Sequence, residues 1–173
     1  MDSWSFKQGM RLLCGGVTIV TTRNEETMAG LTATAVCSLS AEPPRLLACI
    51  NRAGMTYRTI AESRIFCVNV LAAGQKELAL SFAGMTAGNG DRRFDPGSWD
   101  ALHTGAPVLA HSLAAFDCSV LSILDSGSHA IIIGDVKDVR TQSGLPPLLY
   151  MDGTFMTAMA VEEQGSERTA SRA

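Results

Sequence analysis

Two long segments rich in β-branched and other apolar residues, 112–126 and 129–141, meet at the turn Ser126-Gly127-Ser128. A connection this short joins antiparallel neighbours, because parallel strands need a crossover of a dozen or more residues. Further segments of this kind lie at 17–22, 28–40, 45–51, 65–72, 148–153 and 154–160. Strands therefore outnumber helices, and the tight turns between consecutive strands favour an antiparallel barrel over a parallel sheet.

Helical spacing of apolar residues is restricted to short segments. It predicts a helix over 6–14, ended by two glycines, and further helices over 56–63 and 75–84. Residues 85–105 are rich in Gly, Asp and Arg without periodicity, which predicts a long surface loop of the kind that often carries function.

Length and charge limit the classes of protein that this chain can belong to. The 173 residues predict one domain over 1–161, followed by a polar and disordered tail over 162–173. The net charge is -3 and no stretch is rich in Lys or Arg, so nucleic acid is not an expected partner.

The N-terminus and the cysteines indicate a cytoplasmic protein. The first residues lack a basic start followed by an unbroken apolar run, and no segment reaches about 18 uninterrupted apolar residues, so we expect neither export nor a membrane span. The five cysteines are widely spaced and form no CxxC pair or Cys/His cluster, so we predict buried, reduced thiols and no metal site. Cys37 is interpreted as a packing residue.

Residues 30–56 are the most informative stretch. Small residues alternate there with hydroxyl residues, and the even-numbered positions of one strand share a face until a bend or bulge reorients them. The hydroxyl residues of this face are Thr32, Thr34, Ser38 and Ser40. Such a wall lets backbone N–H and C=O groups approach a flat heterocycle. A solvent-facing strand rich in threonine is the alternative.

Several motifs occur in a fixed order along residues 6–155: GLTATA, SLS, EPP, LLACIN, IFCVNVLA, SFAG, DRRF, TGAPVLAHSLAAFDC, GSHAIIIGDV and PLLY. Together they resemble the flavin reductase domain, the small reductase component of two-component flavin monooxygenases. The resemblance implies a mainly β fold, an antiparallel split β-barrel of the FMN-binding type with a few short helices. It also implies binding of FMN or FAD, a homodimer, and NADH or NADPH as reductant.

The resemblance also implies the residues that bind flavin. The isoalloxazine edge is assigned to Thr32, Ala33, Thr34 and Ala35. The ribityl chain and phosphate are assigned to Ser38, Ser40, Asn51 and Thr56, and the outer end of the site to Phe82, Arg93 and Phe94. Fixed amide donors near the ring would favour reduced flavin, and a guanidinium fork would offset phosphate charge. No P-loop is present, and Arg52 and Arg92 are rival phosphate ligands.

His129 is the implied catalytic residue. In the family a histidine at this position, often in a Gly-Asp-His triplet, lies beside the flavin ring and the nicotinamide, whereas here Ser128 replaces the aspartate. The imidazole would pack against or hydrogen-bond the nicotinamide and could supply a proton. A strand-end histidine satisfied by the backbone is the alternative. His103 and His111 match no family role.

The implied reaction is hydride transfer from NADH or NADPH to flavin, which needs stacked rings rather than a side-chain nucleophile. The chain has no GxGxxG motif, so the nicotinamide would bind over the flavin. Reduced flavin would then diffuse to a separate monooxygenase. Three alternatives stay open: an oxidase that keeps its flavin, a non-enzymatic flavin-binding or redox-sensing protein, and a flavin-free interaction module.

Overall fold

A computed structural model describes residues 2–85 and 90–160. The helices are α1 (Ser3–Arg11), α2 (Met55–Ser63) and α3 (Lys76–Phe82), with 3₁₀ turns at Ala73–Gln75 and Gly90–Phe94. The strands are β1 (Gly15–Gly16), β2 (Thr18–Arg23), β3 (Met28–Ala33), β4 (Val36–Ser40), β5 (Arg45–Asn51), β6 (Ile65–Val70), β7 (Trp99–Ala101), β8 (Pro107–Leu109), β9 (Ala114–Ser126), β10 (His129–Thr141), β11 (Leu149–Met151) and β12 (Thr154–Met156).

Seven strands form one antiparallel sheet in the order β3-β2-β6-β9-β10-β5-β4. The edge strands β3 and β4 are consecutive in the chain and are joined only by Thr34 and Ala35. A connection of this length spans at most about 11 Å, so the two edges lie close together and the sheet is rolled into a barrel. The Cys49 N–H donates to the Ala35 carbonyl at 2.9 Å, which continues the β4–β5 pairing into this connection. The predicted antiparallel split barrel is confirmed.

Strand β2 is buried on both faces and separates two apolar clusters. Val20 lies in the barrel interior with Ile50, Phe66 and Ile132, all fully buried. Ile19 lies on the opposite face, where it joins a cluster that includes Phe82 of α3. Helix α3 is thus held against the outside of the barrel beside β3.

A buried polar layer connects β2, β6 and β9 to the segment around β8. Its members are the buried Thr21, Asn69 and Asp117 and the half-buried Thr104. The Asn69 amide donates to the Ile19 carbonyl and to Thr21 Oγ1, each at 3.1 Å, and its oxygen accepts from the Leu109 N–H at 2.7 Å. Asp117 accepts from both the N–H and the hydroxyl of Thr104. Within residues 2–85 and 90–160, every buried side-chain nitrogen or oxygen has a hydrogen-bond partner.

The structure corrects several boundaries predicted from the sequence. The strand predicted over 28–40 is two strands, because the chain bends at Thr34 and Ala35 and β4 pairs with β5 at the far edge of the sheet. The loop predicted over 85–105 contains a 3₁₀ turn and β7 in its described part. Helix α1 begins earlier than predicted, because Asp2 caps it by accepting from the N–H groups of Trp4 and Ser5.

All five cysteines are free, but the prediction that they are buried is wrong for two of them. Cys67 and Cys118 are buried, Cys49 is partly buried, and Cys14 and Cys37 are exposed. None of the helices over 2–85 and 90–160 is long and apolar enough to cross a membrane. The tail predicted over 162–173 lies outside the described residues.

Candidate functional site

Two adjoining cavities lie beside β3 and share Leu31 and Asn51. The His129 cavity, of about 310 Å³, is lined by Leu31, Thr32, Ala33, Thr34, Ala35, Cys49, Asn51, Phe82, Ala83 and His129. The Arg93 cavity, of about 300 Å³, is lined by Met28, Ala29, Gly30, Leu31, Asn51, Gly54, Met55, Thr56 and Arg93. All the site residues predicted from the sequence line one or both cavities, except Ser38, Ser40 and Phe94.

The bend at Thr34 and Ala35 forms the backbone wall of the His129 cavity. The carbonyls of Ala33 and Ala35 accept from the Thr18 hydroxyl at 2.8 Å and the Cys49 N–H at 2.9 Å, which fixes the bend on both sides. The N–H groups of Thr34 and Ala35 donate to no other described residue, and both residues are exposed. These two amides are therefore free to donate to a ligand.

The Thr32 hydroxyl bonds within the protein, although the sequence motif places it on the wall that faces the flavin. It donates to the Ala79 carbonyl in α3 at 2.6 Å, so it fastens the helix to β3. Thr32 therefore presents little more than its methyl group and backbone to the cavity.

Phe82 reaches the cavity because Gly30 has no side chain. A Cβ at Gly30 would lie 2.6 Å from Cε1 of the Phe82 ring, so any larger residue would push the ring away. Phe94 and Trp99 contact this ring from behind, with centroid distances of 5.0 Å and 5.6 Å. Phe94 was predicted at the outer end of the site, but it is 5% exposed and supports Phe82 instead of lining either cavity.

Donors for an anion converge on the Arg93 cavity at the start of α2. Gly54 is the N-cap and provides no side-chain hydrogen bond, so the first N–H groups of this nine-residue helix remain unsatisfied by a cap. Asn51 and Thr56 line the same cavity, and the Asn51 side-chain oxygen accepts from the Ala53 N–H at 2.9 Å. Helix N–H groups beside a guanidinium suit a phosphate.

His129 lies at the tip of the long β9–β10 hairpin, where it pairs with Asn51 of β5 and Ser126 of β9. Its side chain is exposed to the cavity, and the Ser128 hydroxyl lies 2.9 Å from Nδ1. When that hydroxyl donates to Nδ1, the ring proton resides on Nε2, which leaves Nε2 as a donor.

The structure does not bring Ser38 and Ser40 to these cavities. After the bend, β4 carries them to a third cavity of about 390 Å³, whose lining also includes Cys37, Arg45 and Val136. The even-numbered face predicted for one continuous strand is divided at residues 34 and 35, so its two halves face different spaces.

The rival candidates are also placed elsewhere. Arg52 contacts the turn between β9 and β10, as described below, and Arg92 lines neither cavity. His103 and His111 are exposed and line neither cavity.

The two buried thiols, those of Cys67 and Cys118, are unreactive. Burial, with a smaller contribution from the charge of Asp117, raises the pKa of the Cys67 thiol well above its ordinary value. Burial likewise raises the pKa of Cys118 to about 12. Both thiols therefore stay protonated at neutral pH and are poor nucleophiles.

Sequence reasoning missed Leu31, Cys49 and Met55. Cys49 had a usable signal, because it lies two residues before Asn51 in β5 and so shares its face. Leu31 and Met55 had none, because the odd-numbered side of β3 and the first turn of α2 meet only in the folded chain.

Comparisons with known proteins show which family and which proteins this chain resembles. The family described as the flavin reductase like domain matches residues 10–159. The protein named FMN reductase (NADH) RutF 2 of Rhizobium rhizogenes is 42% identical over 150 residues, which cover 87% of this chain and 86% of that protein.

Two solved structures have a similar fold. BorF, the flavin reductase component of a bacterial two-component tryptophan halogenase, superposes with a TM-score of 0.83 at 30% identity, covering 90% of this chain and 98% of BorF. The NADH:FAD oxidoreductase SgcE6 of Streptomyces globisporus has a TM-score of 0.84 at 27% identity, covering 95% of this chain and 92% of SgcE6.

Proposed function

The chain belongs to the flavin reductase-like domain family, and from that premise we propose that it reduces FMN with NADH at the His129 and Arg93 cavities. The protein is an NAD(P)H-dependent flavin oxidoreductase. The observation that carries the proposed location is the convergence of β3, β5, α2 and the β9–β10 turn on two cavities that share Leu31 and Asn51.

The donors at the site fit FMN. Unpaired amides at Thr34 and Ala35 suit the polar edge of a flat ring, and the uncapped start of α2 with Arg93 suits a phosphate. The apolar Phe82 lines the His129 cavity and contacts Gly30, which lines the Arg93 cavity. Bound flavin supplies the acceptor for the hydride of NADH.

The cavity residues are proposed to position the reactants. The bend at Thr34 and Ala35 is fixed by hydrogen bonds to its flanking carbonyls, so its amides need no reorganisation when they meet negative charge. The Phe82 ring is held between Gly30 of β3 and the rings of Phe94 and Trp99, which pack against it.

His129 is proposed to contact the nicotinamide. It is the only titratable side chain among the residues that line the His129 cavity, apart from the Cys49 thiol. Its Nε2 proton can be donated to the nicotinamide carboxamide or to the reduced product, while Ser128 holds Nδ1.

An open site suits a flavin that leaves after reduction. Thr34, Ala35, Asn51 and His129 are all exposed, so the wall faces solvent instead of closing over a ligand. We propose that FMN is a diffusing substrate and that a separate flavin-dependent monooxygenase receives the reduced form. Loss of flavin on gel filtration supports this proposal, whereas retention through dilution indicates an oxidase that keeps its flavin.

The N-terminal helix supports the proposal of a homodimer. Helix α1 buries none of its residues, and Trp4 and Leu13 are 69% and 68% exposed. Phe6, Met10 and Leu12 are exposed as well, so five large apolar side chains in and just after this helix face solvent. We propose that a second copy covers this surface. Light scattering of wild type and Phe6→Asp tests the dimer, since the variant is expected to be monomeric.

We also propose that the protein acts in the cytoplasm, where its free thiols stay reduced.

The decisive experiment follows NADH oxidation by the purified full chain with FMN, FAD or riboflavin, or with no flavin. Oxidation that depends on added flavin, and is fastest with FMN, supports the proposal. Flavin binding without NADH oxidation indicates a non-enzymatic flavin-binding protein, and absence of flavin binding indicates an interaction module.

A further inference from the structure

Arg52 follows the cavity residue Asn51, but its side chain is directed at the turn between β9 and β10. Its Nη1 donates to the Gly127 carbonyl at 3.2 Å, and its Nη2 lies 2.9 Å from Oδ2 of Asp125. The Arg52 backbone N–H donates to the Ser128 carbonyl at 3.0 Å. One residue thus contacts three of the four residues that immediately precede His129.

Tyr57 of α2 completes this arrangement. Its hydroxyl donates to Oδ1 of Asp125 at 3.2 Å, and its ring centroid lies 5.9 Å from Cζ of Arg52. Both oxygens of Asp125 are therefore held, and the guanidinium is placed against an aromatic ring. The group links β5, α2 and the hairpin tip.

We propose that Arg52 is a positioning residue that, with Asp125 and Tyr57, holds the turn 126–128 so that the His129 imidazole faces the cavity in one orientation. This inference rests on the function proposed above for His129. Gly127 and Ser128 at the hairpin tip are exposed, so the turn has little packing of its own. A shift of about 1 Å in a reacting group lowers the rate by up to about a hundredfold.

The same contacts argue against Arg52 as a phosphate ligand. Its two terminal nitrogens are engaged with Gly127 and Asp125 on the hairpin, and Arg52 lines neither cavity. With side-chain exposures of 40% and 53%, the Arg52–Asp125 pair contributes little to stability. The pair instead fixes the geometry of the turn, because the planar guanidinium donates hydrogen bonds in fixed directions that a lysine cannot reproduce.

The test compares Arg52→Ala and Arg52→Lys with Arg140→Ala. Arg140 pairs with Asp100 near the other end of the same hairpin, with exposures of 38% and 53%, so it is a matched control. We expect Arg52→Ala to lower kcat/KM for NADH by about tenfold, with the Kd of FMN and of riboflavin changed by less than about twofold. Arg52→Lys is expected to be intermediate and Arg140→Ala close to wild type.

Two further measurements make the outcome decisive. In a His129→Ala background, Arg52→Ala should cause no further loss of activity, because its effect passes through the imidazole. In the flavin-free protein, amide hydrogen exchange at 126–130 should become faster in Arg52→Ala and stay unchanged in Arg140→Ala.

Three results would overturn the inference: additive losses in the double variant, unchanged exchange at the turn, or weaker binding of FMN with riboflavin unaffected, which would make Arg52 a phosphate ligand. A wild-type protein that does not oxidise NADH with flavin would instead reject the function proposed for His129. The exchange measurement would still decide whether Arg52 holds the turn.

Discussion

Asn69 and Asn51 belong to the same barrel, but the side-chain amide of Asn69 is buried and that of Asn51 is exposed. Asn69 is fully buried, and its side chain makes hydrogen bonds with the backbone of Ile19 and Leu109 and with the hydroxyl of Thr21. Asn51 is exposed on the wall of both candidate cavities, and its oxygen accepts a single local hydrogen bond from Ala53.

The difference separates residues that hold the barrel from residues that face a ligand. In the buried polar layer each polar group has a partner within the protein, so removing one leaves another unsatisfied. On the cavity wall the backbone amides of Thr34 and Ala35 and the imidazole of His129 remain available to a ligand. Stability should depend on the first region and catalysis on the second.

The largest expected effect comes from Asn69→Leu. The substitution keeps the number and branching of the side-chain heavy atoms but leaves the Ile19 carbonyl, the Thr21 hydroxyl and the Leu109 N–H without this partner. We expect the free energy of unfolding to fall by about 3 kcal/mol or more. Urea unfolding of the full chain measures this change.

Asn51→Leu is the matched control for that substitution. Because Asn51 is exposed, we expect the free energy of unfolding of this variant to differ from that of wild type by less than about 1 kcal/mol. Its affinity for FMN should fall. If Asn51→Leu unfolds as easily as Asn69→Leu, the proposed separation between barrel and cavity wall is wrong.

The second effect in size concerns His129→Ala. We expect kcat for NADH-dependent FMN reduction to fall by roughly tenfold to a hundredfold, with the Kd of FMN changed by less than about twofold, since the imidazole is proposed to contact the nicotinamide. Steady-state kinetics and a flavin titration measure the two quantities. His103→Ala, at an exposed histidine outside both cavities, should behave as wild type. An unchanged kcat in His129→Ala removes this residue from the site.

Arg93→Ala should weaken FMN binding by about tenfold, because a charge-assisted hydrogen bond to phosphate contributes about 1.5–3 kcal/mol. Riboflavin lacks the phosphate, so its affinity should not change. Arg92→Ala is the control at the neighbouring exposed arginine. Equal losses for FMN and riboflavin would show that Arg93 acts on the ring or on the fold.

Much of this site could be predicted where it follows strand periodicity and a motif. Thr34, Ala35, Asn51 and His129 belong to short motifs at strand ends, and a strand end fixes where its residues lie relative to the paired strand. Alternation and tight turns also predicted an antiparallel barrel, whereas the split barrel of the FMN-binding type was implied only by the resemblance.

The remaining parts depend on tertiary structure that local sequence does not contain. The bend after β3 sends Ser38 and Ser40 to another cavity, because β4 must pair with β5 across the barrel. Phe94 resembles a ligand-binding aromatic in the motif, but in the fold it packs against the Phe82 ring and lines neither cavity. The exposure of Cys14 and Cys37 likewise depends on which faces the barrel leaves uncovered.

The smallest expected effect lies outside both regions, at the Arg45–Asp135 pair beside the third cavity. Arg45 Nε donates to Asp135 Oδ1 at 2.7 Å, and this hydrogen bond holds the pKa of the carboxyl below its ordinary value of 3.8. A lowered pKa in the folded state stabilises the protein above the ordinary carboxyl pKa, and the contribution is lost as the pH falls through the lowered value. Asp135→Asn should therefore unfold slightly more easily than wild type at neutral pH, and the difference in urea midpoint should vanish in acid and shrink at high salt. A difference that persists unchanged across this pH range would mean that the pair acts through packing, as the buried polar layer does, and not through charge.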